Sequence, residues 1–256
     1  MPFQKIEAEK LSQAVVRQIE ALILQGILRP GERLPSERDL SDRLGVSRPS
    51  LREAVAELQA AGLLTTRAGA GIYVADVIGS VFSPGLLRLF ARHDTAVFDY
   101  LAFRRDMEGL AAERAASIGT DADLAVVDRV FGRMQAAQDR RNPTDEAALD
   151  AEFHMAIIEA GHNVIMLHMM RAMFDLLSEG VFYNRSVMFR QRTTRAALLD
   201  QHRAINAGLQ ARDPIAARAA VEAHLDYVRA ALTAQRQADR NEALAQLRLQ
   251  HKADKA

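Results

Sequence analysis

Four side chains in the second half of the chain have the types and spacing of a metal site. Asp150 and His154 lie four residues apart, so on a helix they share one face and can bind one cation together. His202 and His224 lie on the predicted helices at 187–210 and 214–238, each among apolar positions. Three imidazoles and one carboxylate suit zinc first, with nickel and manganese as further candidates. From spacing alone, a histidine in a helical protein is more often an ordinary polar or core residue than a metal ligand. An ordinary role is what we expect of the other histidines: His93, His162, His168 and His251.

Arg104 and Glu108 form a second pair that could do chemistry. Exposed on a helix, such a pair is a surface ion pair worth only a few tenths of a kcal/mol. Apolar neighbours predict instead that this side of the helix is buried, where a charge needs a partner; they are Tyr100, Phe103, Met107 and Leu110. A forked guanidinium beside an open metal position could hold a small carboxylate by two charged ends. Asn163 could line the same pocket or cap its helix, and capping is the preferred interpretation.

The elements that position these residues are helices. Apolar residues recur at spacings of three and four, and Asp213 followed by Pro214 is a typical helix start. We expect an all-helical domain at residues 85–238 and a polar tail at 239–256 that frays or stays disordered. A loss of periodicity, with Gly, Ser and Pro, predicts a linker at 77–84. The helices are predicted at about 95–118, 121–139, 144–160, 163–180, 187–210 and 214–238.

Residues 1–76 are predicted to form a winged helix-turn-helix domain. Ser36 and Asp39 have the spacing of a helix cap, and Gly45 provides the left-handed residue that ends that short helix. A second helix follows Ser47, with Pro49 in its first turn and an apolar face toward the core. The run LLTTRAGAGIYV then predicts two short strands around a Gly-rich tip. The apolar face of the second helix comprises Leu51, Val55 and Leu58.

Arg48, Ser50 and Arg52 lie near the exposed start of that second helix, the end that faces base edges in a helix-turn-helix. Arg67 supplies a charge at the wing. An arginine can donate two hydrogen bonds to guanine or contact a phosphate. However, residues 33–71 contain six arginines and five acids, so the same side chains could simply form solvated ion pairs. The DNA-binding interpretation therefore rests on placement rather than net charge.

The run ILRPGERLPSERDLSDRLGVSRPSLREAVAELQAAGLL, with the Gly-rich wing after it, closely resembles the N-terminal domain of GntR-family transcription regulators. In that family the arginines of the PSER, VSR and LRE segments contact DNA. The resemblance implies these roles for Arg38, Arg48 and Arg52. It also implies a wing contact at Gly69.

The helical domain resembles the ligand-sensing (FCD) domain of the FadR-like branch of this family. Metal-binding members use a D-x-x-F-H run plus two later histidines, which implies that the metal ligands are Asp150, His154, His202 and His224. In related domains the arginine at the position of Arg104 binds an effector carboxylate. The GHNVIMLHMMRAM and SRPSLREA segments look most like the pyruvate-, lactate- and glycolate-responsive regulators. The resemblance implies a small keto or hydroxy acid, with sugar acids still open.

Composition agrees with a chain that folds around apolar cores. Of 256 residues, 49% are hydrophobic, and formal net charge is zero. No cysteine is present, which excludes disulfides and thiolate metal sites. No apolar run approaches the roughly 18 residues of a membrane span, and nothing at the N-terminus has the pattern of a secretory signal. We therefore expect a cytoplasmic protein.

The predicted fold is mainly α, with a winged helix-turn-helix followed by an all-α bundle. The predicted function is a homodimeric, metabolite-responsive regulator of an inverted-repeat DNA operator, with repression as the expected direction. One alternative is a metal-dependent hydrolase that uses the three histidines and the aspartate, with Glu152 or Glu108 as base. No HExxH run, phosphate loop or nucleophile elbow supports it. Another alternative is a metal ion that only ties helices together.

Overall fold

The computed structural model describes residues 10–67, 70–76, 83–138, 140, 142–178 and 192–253. The chain divides into two compact units, Met1–Val81 and Phe82–Ala256. The elements of the first unit are α1 (Leu11–Leu24), α2 (Glu37–Leu44), α3 (Arg48–Ala60), β1 (Leu64–Arg67) and β2 (Gly71–Val74). Those of the second unit are α4 (Pro84–Arg92), α5 (Asp94–Ile118), α6 (Asp121–Gln138), α7 (Pro143–Ala160), α8 (Val164–Ser178), α9 (Arg192–Gln210) and α10 (Pro214–Ala253).

The predicted caps define the helices of the first unit. The Ser36 hydroxyl accepts a hydrogen bond from the Asp39 backbone N–H at 3.2 Å, so α2 begins as predicted. Gly45 ends α2 at a φ of 65°, a conformation that costs glycine little. Ser47 caps α3 by accepting from the Ser50 N–H at 3.3 Å. The short turn between the two helices therefore fixes the direction of α3.

A single apolar core holds α1, α3 and the β-hairpin together. Leu51 and Leu58 of α3 are fully buried and Val55 is nearly so, as predicted. The strands β1 and β2 pair antiparallel, with Leu64 opposite Val74. This is the winged helix-turn-helix that the sequence predicts.

The second unit contains helices only, over the part of it that the structure describes. The helix α5 packs against α7, α9 and α10, while α6 packs against α7 and α9. Two apolar clusters fill the space between these helices. Among the described residues, no helix is both long and apolar enough to cross a bilayer.

Three features of this unit differ from the sequence predictions. The helix α10 continues to Ala253, so the expectation of a frayed or disordered tail is wrong for residues 239–253. Those residues are good helix formers such as Ala, Leu, Arg and Gln, although most are exposed and lack a core-facing pattern. Phe103 and Leu110, predicted to be buried, are each 37% exposed. The helix α4, capped by Ser83, was not predicted.

The predicted linker at 77–84 falls mostly outside the described residues. Its last two positions are Ser83 and Pro84, the cap and the first residue of α4. Asp213 caps α10 as predicted, because its Oδ1 accepts from the Ala216 N–H at 3.0 Å. The end of the predicted helix 163–180, at 179–180, and the start of the predicted helix 187–210, at 187–191, also lie outside the described residues.

Candidate functional site

Four donor side chains from three helices meet in the interior of the second unit. Asp150 and His154 come from α7, His202 from α9 and His224 from α10, and all four are buried. One ligand atom of each lies within 4.8 Å of the others. Nε2 of His202 lies 3.1 Å from Asp150 Oδ1 and 3.3 Å from His154 Nε2. The structure thus brings together the full set that the sequence singled out.

Packing of the helices explains why these side chains point inward. Phe153, fully buried, meets the His154 ring edge-on at 5.9 Å and the His202 ring at 5.2 Å between centroids. Ile205 follows His202 by three residues and Leu225 follows His224 directly, and both are buried in the same apolar cluster. Apolar neighbours on α9 and α10 therefore orient the polar donors toward one point.

Two of the imidazoles have their second nitrogen held by another side chain. Nδ1 of His154 lies 2.6 Å from Glu108 Oε2, and Nδ1 of His224 lies 2.9 Å from Gln201 Oε1. A proton on Nδ1 would let each ring donate toward these oxygens, because a carboxylate or amide oxygen accepts from a ring N–H. The lone pair of Nε2 is then available at the centre. This is the arrangement that outer partners give to metal-binding histidines.

Burial also keeps these imidazoles neutral. Loss of solvation lowers the pKa of His154 even though Glu108 opposes the effect. Burial lowers the pKa of His224 well below its ordinary value, and the neighbouring His202 adds to the shift. Neutral imidazoles are the form that binds a metal ion.

The donor set fits one divalent transition metal. Ligands about 2.0–2.2 Å from one tetrahedral ion lie roughly 3.3–3.6 Å apart, close to the 3.1, 3.3 and 3.8 Å between donor atoms of Asp150, His154 and His202. Nitrogen and oxygen donors suit zinc, nickel and manganese alike. A buried carboxylate among neutral rings also favours a cation.

Arg104 and Glu108 form a buried ion pair next to this centre. Nε of Arg104 donates to Glu108 Oε1 at 2.5 Å, and Nη2 donates to Oε2 at 3.3 Å. Each side chain is only 2% exposed, so the surface ion pair interpretation is wrong. The guanidinium carbon lies 4.9 Å from the Phe174 ring centre. Burial alone would raise the pKa of Glu108, but Arg104 and His154 outweigh it and lower the pKa to about 2.

Other predicted site residues have different surroundings. Asn163 caps α8, because its Oδ1 accepts from the Met166 N–H at 3.0 Å, in agreement with the preferred interpretation. Glu152, suggested as a base, pairs with Arg133 at the surface. Gln201 was not singled out by the sequence, and its position directly before His202 was the only signal available.

In the first unit, the predicted DNA-contacting side chains lie at the starts of α2 and α3 and on the hairpin. Arg38 and Arg48 are exposed. Nε of Arg52 donates to Glu37 Oε2 at 2.8 Å, so an ion pair of the kind that the sequence left open is present at this one position. The Ser50 and Ser47 hydroxyls lie 2.9 Å apart. The guanidinium carbon of Arg67 lies 4.3 Å from the Tyr73 ring centre, and Gly69 lies outside the described residues.

The first unit is a winged helix with arginines at the exposed start of α3, and the second unit is helical and encloses a polar centre. Together they define a transcription regulator with a separate C-terminal domain. Residues 11–74 match the family model described as bacterial regulatory proteins, gntR family, and residues 99–227 match the FCD domain. The chain belongs to the GntR family of transcription regulators and carries an FCD domain. Its relatives are regulators and not enzymes, which removes the hydrolase alternative.

The similarity to known relatives extends through both domains. The Escherichia coli Glc operon transcriptional activator is 34% identical over 84% of this chain and 87% of its own length. An E. coli regulatory protein named for the L-lactate dehydrogenase operon is 35% identical over 86% of this chain and 85% of its own. A solved Streptococcus agalactiae GntR protein shares the fold, with a TM-score of 0.51 and 24% identity over 85% of this chain and 98% of its own.

Proposed function

We propose that this regulator binds an inverted-repeat operator as a homodimer and responds to a small carboxylate in the cytoplasm. Residues 1–76 are the DNA-binding domain and residues 85–238 the sensing domain. In the latter, one divalent metal ion, zinc first, is held by Asp150, His154, His202 and His224. Arg104 binds the carboxylate of a keto or hydroxy acid. Twofold symmetry suits two winged helices on two half-sites.

The observation that carries this proposal is the position of Glu108 between the two parts of the site. One oxygen pairs with Arg104 Nε and the other contacts both Arg104 Nη2 and His154 Nδ1. A bound carboxylate at Arg104 and a metal ion at His154 therefore share one buried intermediary. Such a contact lets either ligand alter the affinity for the other, which is what a coupled sensor requires.

Charge balance explains why the metal ion and the effector belong together. In the metal-binding form, in which imidazoles are neutral, Arg104, Glu108 and Asp150 together carry one negative charge, and the buried Glu146 is paired with Arg195. A divalent ion converts this into one positive charge, and a monocarboxylate then neutralises it. Because an uncompensated buried charge is costly, metal binding favours a carboxylate, whereas the metal-free site repels one.

The names of the relatives support an acid of this class. One is named for the L-lactate dehydrogenase operon, and lactate is a hydroxy acid. Another is named an activator, so we do not extend the expectation of repression to this chain. The direction of control depends on where the operator lies relative to the promoter.

Removal of the metal ion separates a sensing ion from a purely structural one. The protein is stripped with a chelator, and pyruvate, lactate and glycolate are titrated by calorimetry with and without one equivalent of zinc. We expect helical circular dichroism to persist without metal and acid binding to require zinc. Loss of the helical signal would support a structural ion instead. Equal acid affinity in both samples, or no acid binding in either, would contradict the sensing proposal.

A further inference from the structure

A groove on the first unit carries three arginines. It lies between the start of α2, the helix α3 and the hairpin, has a volume of about 480 Å³ and is lined by residues of all three. Arg33, Arg52 and Arg67 face it, and Glu37 is the one carboxylate among the lining residues. Glu37 already accepts from Arg52 at 2.8 Å. Arg33 and Arg67 therefore give the groove an excess of positive charge.

Arg33 is held at the base of the wing by backbone pairing. It forms an isolated antiparallel bridge to Tyr73. The neighbouring Leu34 N–H donates to Ile72 O, and Val74 N–H donates to Glu32 O, both at 2.9 Å. The segment around Arg33 thus pairs with β2 through an isolated bridge, outside the two-stranded sheet. Its position relative to the hairpin is fixed even though its side chain is exposed.

The Arg33 guanidinium lies close to a glycine. A Cβ atom built on Gly71 would come within 3.2 Å of Arg33 Nε and 3.5 Å of its Nη2. Gly71 has a φ of 106°, a conformation open almost only to glycine. The same residue therefore permits the turn into β2 and leaves room for the guanidinium. On the other edge of β2, Arg67 stacks on Tyr73.

We infer that Arg33 binds a phosphate of the operator duplex beside the bases faced by α3. This inference rests on the DNA binding of the proposed function and adds a contact outside the PSER, VSR and LRE segments. Guanidinium groups fit phosphate oxygens in a forked geometry. Contacts of this type fix the register of a protein on DNA and do not select a base. Arg33 is thus a positioning residue for the base-reading helix.

Salt dependence of DNA binding tests the assignment. Each phosphate neutralised contributes about 0.9 to the slope of log affinity against log salt. Arg33→Ala is compared with wild type, Arg33→Lys and Arg248→Ala, an equal charge change at an exposed residue of the second unit. Fluorescence anisotropy is measured on an operator duplex and on a scrambled duplex over a range of salt. Thermal unfolding confirms that each variant is folded.

We expect Arg33→Ala to make the slope shallower by about 0.9 per bound protomer and to weaken both duplexes by the same factor. Arg33→Lys should keep most of the slope, and Arg248→Ala all of it. A salt slope for Arg33→Ala equal to that of Arg248→Ala would overturn the inference. A loss of affinity for the operator duplex without a loss for the scrambled duplex would overturn it too. A wild type without operator preference would contradict the proposed function instead, while the slopes on the scrambled duplex still test Arg33.

Discussion

Glu108 Oε2 lies 2.6 Å from Nδ1 of His154, one turn along α5 from the Arg104 that the same carboxylate binds. Glu108 is the residue through which the proposed effector arginine and the proposed metal ligand act on each other. It orients the His154 ring and neutralises the Arg104 charge at the same time. Substitution of Glu108 should therefore affect both metal and effector binding.

Glu108→Gln should weaken metal binding by roughly 10–100-fold, the usual cost of losing an outer partner of a metal-binding histidine. The amide keeps the size of the side chain but removes its charge. Affinity is measured by competition with a chromophoric chelator. Glu113→Gln, the same change on the same helix at a residue paired with Arg218, is the control. A metal affinity in Glu108→Gln equal to that of wild type would show that the 2.6 Å contact does not help His154 to bind the metal ion.

Stability of the metal-free protein should fall as pH drops below about 6.5. The pKa values of buried His154 and His224 lie below their ordinary 6.5 in the folded state, so the unfolded chain takes up more protons there. Urea unfolding at several pH values measures this slope. His224→Leu should flatten the slope relative to wild type. An unchanged slope in His224→Leu would contradict the prediction.

Acid below pH 4.5 should remove the contribution of the Glu108 carboxylate to the stability of the fold. The pKa of Glu108 lies at about 2 in the folded state against an ordinary 4.5, so its stabilising effect persists above pH 4.5 and is lost as pH falls toward 2. The stability difference between wild type and Glu108→Gln, measured by urea unfolding, should shrink over that range. A difference independent of pH would mean that the carboxylate charge does not stabilise the fold.

Arg104→Met should destabilise the protein by about 3–5 kcal/mol, because it leaves the Glu108 carboxylate buried without its cation. The double variant Arg104→Met/Glu108→Met removes both charges and should recover most of that loss in urea unfolding. Neither variant should bind the effector. Recovery of stability without recovery of acid binding would separate the two roles of Arg104. Effector binding by the double variant would contradict its assignment as the carboxylate ligand.

Arg48→Ala and Arg52→Ala should each weaken operator binding by about 1–3 kcal/mol if they contact bases. If Arg52 contacts DNA, it gives up its ion pair with Glu37, so its loss should fall at the lower end. Anisotropy at one salt concentration measures the effect. Arg43→Ala, in the last turn of α2, is the matched control. Near-wild-type affinity for Arg48→Ala would remove that residue from the base-reading set.

The sequence predicted the parts of the fold that depend on local signals. The caps at Ser36 and Ser47 and the left-handed Gly45 depend on adjacent residues alone, and the structure has them as expected. The extent of α10 was missed because its end is exposed, and apolar periodicity reports packing rather than helix propensity. Partial exposure of Phe103 and Leu110 was missed for a related reason, since apolar type does not show which side of α5 meets a neighbour.

The same contrast holds for the candidate site. Asp150 and His154 share a helix, so their proximity could be predicted from spacing. The contact of Gln201 with His224 joins α9 to α10 and depends on how these helices pack. Burial of Arg104 and Glu108 likewise depends on α7, α8 and α10 packing over α5. Residue spacing could not predict these contacts, because they depend on how the helices pack in three dimensions.

The most direct test of the proposed sensor is operator binding measured with acid and metal varied together. Anisotropy at fixed salt is followed for DNA from upstream of the gene, with pyruvate, lactate or glycolate, using zinc-loaded and chelator-treated protein. Salt is fixed because phosphate contacts make the affinity steeply dependent on it. We predict that one of these acids changes operator affinity in the zinc-loaded protein and that none does so in the stripped protein. An identical response without metal, or an operator affinity that no acid changes, would contradict the coupling of Arg104 to the metal centre through Glu108.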